Sequence, residues 1–122
     1  MGARINYVFK DREDHGVVLY SHWGETEWQR DIAMALQHAK PRWDDSSYGT
    51  RMMISYLIQD CVLDETGFGI YAITDVSCLH PAGDPVVIID FANKTVTDTV
   101  PVDWDAFINA YAPNALTETV VG

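Results

Sequence analysis

Two stretches of the chain carry side chains able to hold a ligand. In "LYSHWGETEW" (19–28) His22 and Trp23 stand where a strand pattern gives way to a helix pattern. Backbone N–H groups at a helix start favour an anion, and an imidazole beside an indole adds hydrogen bonding and stacking for a planar or anionic ligand. Packing is the competing role, with Trp23 folded over the helix and His22 closing a sheet edge. In "KPRWDDSSYGTR" (40–51) Arg42, Tyr48 and Arg51 offer planar guanidinium forks and a phenol for anion recognition, with Trp43 as a stacking surface. Asp44 and Asp45 stand at the same place and oppose an anion, so Arg–Asp pairing that fixes the loop is the structural alternative. A helix between the two stretches is about 20 Å long at 1.5 Å per residue, so one pocket using both would need an oligomer.

Catalytic and cofactor chemistry has little support. Ser21 and His22 are neighbours in a strand and point to opposite faces, so adjacency does not make them a nucleophile and its base. His15, His22, His38, His80, Cys61 and Cys78 lack paired zinc-ligand spacings, and no metal is expected. Neither a phosphate loop nor a nucleophile elbow is present, so no cofactor and no catalytic residue is assigned. Cys61 reads as a small core residue on a helix.

These stretches must be held by the elements around them. "RINYVFK" alternates as a half-buried strand, and "VVLYSH" returns as the second arm of an antiparallel hairpin. Thr26 and Gln29 have the spacing of a capping box, and Trp28, Ile32, Leu36 and Ala39 form the buried stripe of a helix that Pro41 ends near Lys40. The run Asp44 to Ser47 supplies N-caps for a second helix, "YGTRMMISYLIQDCV", with Met53, Ile54, Leu57, Ile58 and Cys61 inward. "FGIYAIT" (68–74), "VVIIDF" (86–91) and "TVTDTV" (95–100) read as strands, the last two joined by the tight "ANK" turn. Asp103 caps a short helix carrying Trp104, Phe107, Ile108 and Tyr111, which Pro113 stops. The expectation is an α+β domain over 1–113 in the order ββααβββα. It has an antiparallel sheet of about five strands with a two-helix hairpin on one face, and a frayed tail over 114–122.

A chain of 122 residues, 48% hydrophobic, can build one core without staples. Two cysteines point to reduced thiols, and the start "MGARINYVFK" lacks an apolar stretch, so a cytoplasmic protein without a membrane span is expected. Net charge is −10. Residues 59–122 contain Lys94 as their one Lys or Arg against ten acids. Direct nucleic-acid binding is therefore disfavoured, whereas docking on a basic surface fits the charge.

The motifs "YSHWG", "RWDDSSY" and "TGFGI" resemble a family of small uncharacterised accessory proteins encoded by bacteriophages and prophages of actinobacteria, over roughly residues 2–100. The resemblance implies expression in the cytoplasm of an infected bacterium and a role in modulating host physiology or defence; it implies no activity. Three readings follow. The leading one is a binding protein that sequesters a small anionic ligand such as a nucleotide messenger, through His22 and Trp23 or through Arg42, Trp43, Tyr48 and Arg51. The second is an acidic inhibitor that docks on a basic host protein or mimics nucleic acid, and the third a small hydrolase using His22 as general base. A homo-oligomer anchored by exposed loop tryptophans is a further expectation.

Overall fold

The structure, a computed structural model, describes residues 4–22, 27–78 and 85–112. It is an α+β fold with one mixed sheet of six strands and three α-helices among those residues. The strands are β1 (Ile5–Lys10), β2 (Gly16–Ser21), β3 (Phe68–Ile73), β4 (Val86–Asp90), β5 (Thr95–Thr97) and β6 (Pro101–Asp103). Their order across the sheet is β3-β2-β1-β4-β5-β6. The helices are α1 (Trp28–His38), α2 (Ser46–Leu57) and α3 (Trp104–Tyr111).

The expected β1–β2 hairpin is present, with Ile5 opposite Ser21 and Lys10 opposite Gly16. The expected all-antiparallel, five-stranded sheet is corrected in two ways. β4 lies beside β1 and runs parallel to it, Val8 opposite Ile88. A sixth strand, β6, pairs with β5 before α3 starts, so the order is ββααββββα. The parallel pair follows from two-sided burial. Ile5, Tyr7 and Phe9 of β1 belong to the helix-facing core with Val87, Ile89 and Phe91, while Val8 packs with Val18 and Val76 on the other face. A strand buried on both faces sits in the middle of a sheet, and the half-buried reading of "RINYVFK" gives way to that.

The helices keep their expected stripes with shifted ends. Ile32, Ala33, Ala35 and Leu36 are the buried residues of α1. The capping-box reading does not hold: Glu27 is the N-cap and makes no side-chain cap bond, and Thr26 lies outside the described residues. Pro41 ends the regular helix as expected, and Lys40–Arg42 tighten into a 3-10 turn. Asp45 caps α2 by accepting the Tyr48 N–H at 3.0 Å, as the polar run suggested. The helix stops at Leu57, so Cys61 follows it in a turn and is not a buried core residue. In α3 Trp104, Phe107 and Ile108 are buried, whereas Tyr111 is exposed. Pro113 and the expected tail 114–122 lie outside the described residues.

An aromatic cluster locks the corner between α1 and α2 onto the sheet. Trp104, 1% exposed, donates its indole N–H to the Thr95 carbonyl at 3.0 Å. Its ring meets Trp43 and Phe91 edge-on, both at centroid distances of 5.0 Å. Trp43 in turn donates its indole N–H to the Leu36 carbonyl at 2.9 Å, satisfying a carbonyl near the end of α1. The start of α2 presses on the same cluster. A Cβ added at Gly49 would lie 2.6 Å from the Phe91 ring and 2.7 Å from the Arg42 carbonyl oxygen.

Gly49→Ala removes that approach and should destabilise the protein by about 1–3 kcal/mol, the usual range for an overpacked core. The midpoint of urea unfolding should fall with an unchanged slope; an unchanged midpoint would show that the corner yields freely.

Candidate functional site

Parallel pairing brings the C-terminal ends of β1 and β4 to the same edge of the sheet. The Phe91 N–H donates to the Lys10 carbonyl at 2.9 Å, which sets the loop after β1 beside the turn after β4. Lys10 fastens the two further, with its ammonium 3.1 Å from Asp14 and 3.5 Å from Asp90. Burial works against that charge, but the two carboxylates more than offset it and hold the Lys10 pKa above its ordinary 10.5. In the loop after β1 the Asp11 carboxylate accepts the N–H groups of Glu13 and His15, at 2.8 and 3.0 Å.

Against this loop stands the 3-10 corner, placed by the Trp43–Trp104 contact. Between them is an open cleft of about 390 Å³. Four carboxylates line it, Asp11, Glu13, Asp44 and Asp45, together with the aromatic rings of Trp43 and Phe91. Arg12 is the one cationic side chain in the lining, and Lys94 pairs with Asp44 at 3.0 Å beside it. Carboxylates in an open cleft suit a cation through ion pairs. Of the two rings, Phe91 is buried and the Trp43 ring already has the Lys40 ammonium 5.5 Å from its centre. An anion would meet net repulsion there.

Most of this cleft is missed by sequence reasoning. Asp44 and Asp45 appear there only as residues that weaken an anion site, and Asp11 and Glu13 are left in a polar loop. The signal available was the pair of acidic runs, "DRED" and "WDD", but only the parallel β1–β4 pairing brings them together. Among the described residues, Asp11, Glu13 and His15 are also the one group whose ligand atoms lie close enough, within 4.8 Å, to hold a metal ion.

The residues singled out in the sequence are distributed differently. Trp43 is half-buried and not, as expected, fully exposed, with its N–H bound to the backbone and its ring against Trp104. The Arg42 guanidinium lies 5.2 Å from the centre of the exposed Tyr48 ring. Arg51, one helical turn after Tyr48, bonds Ser55 at 3.4 Å. Arg42, Tyr48 and Arg51 are all exposed. His22 directly follows β2 and donates its backbone N–H to the Gly67 carbonyl at 3.0 Å. The Tyr20 hydroxyl is 3.1 Å from His22 Nδ1, and the two rings meet edge-on. Both side chains belong to the sheet face opposite Leu19, away from the helices. Trp23 and His80 lie outside the described residues. No helix among the described residues is long and apolar enough to cross a membrane.

No protein-family model matches the chain. No curated protein and no solved structure matches it either.

The Lys10 tie that positions the acidic loop has a pH signature. Folded Lys10 holds its proton more tightly than the unfolded chain does, so its contribution is complete below pH 10.5 and fades as pH rises through the higher folded value. Wild-type stability should therefore fall more steeply in that alkaline range than that of Lys10→Met, in parallel urea titrations. Identical slopes would remove the tie from the account.

Proposed function

We propose that the chain is a non-enzymatic binding protein that docks on a basic host protein and receives a Lys or Arg side chain in the acidic cleft. One observation carries this reading: Asp11, Glu13, Asp44 and Asp45 line one concave site in which Arg12 is the one cationic lining residue. The net charge of −10 supports it, because long-range attraction speeds encounter with a basic surface. The resemblance to phage and prophage accessory proteins supports a partner in an infected actinobacterial cell. Binding by this route needs no catalytic group.

A second reading keeps the small anionic ligand, and Arg42 against Tyr48 is the observation that favours it. Arg51 would complete the anion contacts from the same helix. Openness counts against it, since nothing in that surface excludes water from an ion pair, and exposed pairs are worth only about 0–1 kcal/mol.

The two readings separate experimentally. Docking predicts saturable binding to a basic partner that weakens steeply with salt, and about a two- to thirtyfold weaker complex for Glu13→Gln/Asp44→Asn, from two rim charges of roughly 0.2–1 kcal/mol each. Both substitutions spare Asp45, the α2 cap. A complex indifferent to salt and to this double variant would contradict docking in the cleft. A thermal shift with a nucleotide, abolished by Arg51→Ala, would favour the anion reading instead.

A further inference from the structure

The opposite end of the sheet holds a second cavity of about 300 Å³, between the start of β1, the end of β2, the first turn of α1 and the turn after α2. Tyr7, Ser21, Asp31, Tyr56, Asp60 and Cys61 are among its lining residues. Tyr7 is 2% exposed, yet its hydroxyl has no hydrogen bond to any described residue. Every fully enclosed side-chain N or O atom among the described residues has a partner, so this hydroxyl must open onto the cavity that Tyr7 lines. A buried phenol whose hydroxyl opens onto a cavity and has no partner among the described residues is placed to bond whatever occupies that cavity. The Asp31 carboxylate likewise has neither a hydrogen bond nor an ion pair among the described residues. Asp60 adds a second carboxylate, and no Lys, Arg or His lines the cavity.

We infer that this cavity is a binding site for a small primary alkylammonium group. Asp31 and Asp60 supply the countercharge, the Tyr7 hydroxyl accepts one N–H, and the Tyr56 and Phe68 rings receive the alkyl chain. An ammonium has three donors and no acceptor, which matches a lining with two carboxylates and no cation. The volume lies at the small end for ligand sites and suits a short aliphatic amine. Electrostatics agree with the geometry. Burial raises the Asp31 pKa, Glu27 adds to the rise, and Arg30 only partly opposes it. Burial and the nearby Asp31 charge likewise raise the Tyr7 phenol. Both groups are short of positive charge.

The test is a nitrogen-15 NMR titration of the full chain with n-butylammonium, butan-1-ol and butyrate. Butylammonium should give saturable shifts at residues lining this cavity, and neither the neutral nor the anionic analogue should. Tyr7→Phe should weaken the amine about tenfold, the range for losing a buried hydrogen bond to a charged group, and Asp31→Asn, an exposed partner, about two- to fivefold. Asp31 is an exposed helix residue, so its amide variant should retain the wild-type spectrum. Glu13→Gln/Asp44→Asn should leave amine binding intact, which separates this site from the acidic cleft. Equal binding of butan-1-ol, wild-type affinity in Asp31→Asn, or no shift with butylammonium would each overturn the assignment.

Discussion

Trp104 is the residue around which the end of the molecule that carries the acidic cleft is organised. Its indole reaches the Thr95 carbonyl, and its ring faces Trp43 on one element and Phe91 on another. A buried aromatic with both a satisfied N–H and edge-on ring contacts combines a large apolar burial with fixed geometry. The corner between α1 and α2, the turn after β4 and the start of α3 are thereby set relative to one another. Without that cluster Asp44 and Asp45 would have no fixed relation to Asp11 and Glu13.

The second constraint is the parallel pairing of β1 and β4. It sends both strand ends to one edge of the sheet, where Lys10 lies between Asp14 and Asp90. The same pairing places the beginnings of β1 and β4 at the far edge, the end where the cavity opens beside Tyr7. The sheet therefore separates two acidic recesses, one open and lined by Asp11, Glu13, Asp44 and Asp45, the other smaller and backed by the core. Both have the electrostatic sign of the chain, which favours cationic partners over anionic ones.

What could be read from the sequence was whatever is local. Ile32 and Leu36 announce α1 by their spacing, Asp45 lies in the run expected to cap α2, and the "ANK" turn joins β4 to β5 as expected. Pairing between distant strands was not legible, because alternation in "RINYVFK" looks half-buried until Val8 is seen against Val18 and Val76. The three-residue β6 is too short to show a period. At the candidate sites the difficulty was similar. Trp43 stands in the sequence as a stacking surface, and its packing against Trp104 is hidden because that partner lies sixty-one residues later in the chain. Tyr7 alternates with its neighbours onto the face that carries Ile5 and Phe9, but nothing in a strand pattern tells whether a buried hydroxyl finds a partner.

The central claim is that the cleft beside Trp43 receives a cationic side chain. The most direct measurement follows the Trp43 indole N–H and the Phe91 amide by nitrogen-15 NMR during titration with N-acetyl-lysine methylamide and N-acetyl-arginine methylamide. Saturable shifts at those two signals, lost at high salt and absent with the glutamate analogue, are the predicted result. Shifts confined to Arg42 and Arg51, or equal shifts with the glutamate analogue, would contradict the account.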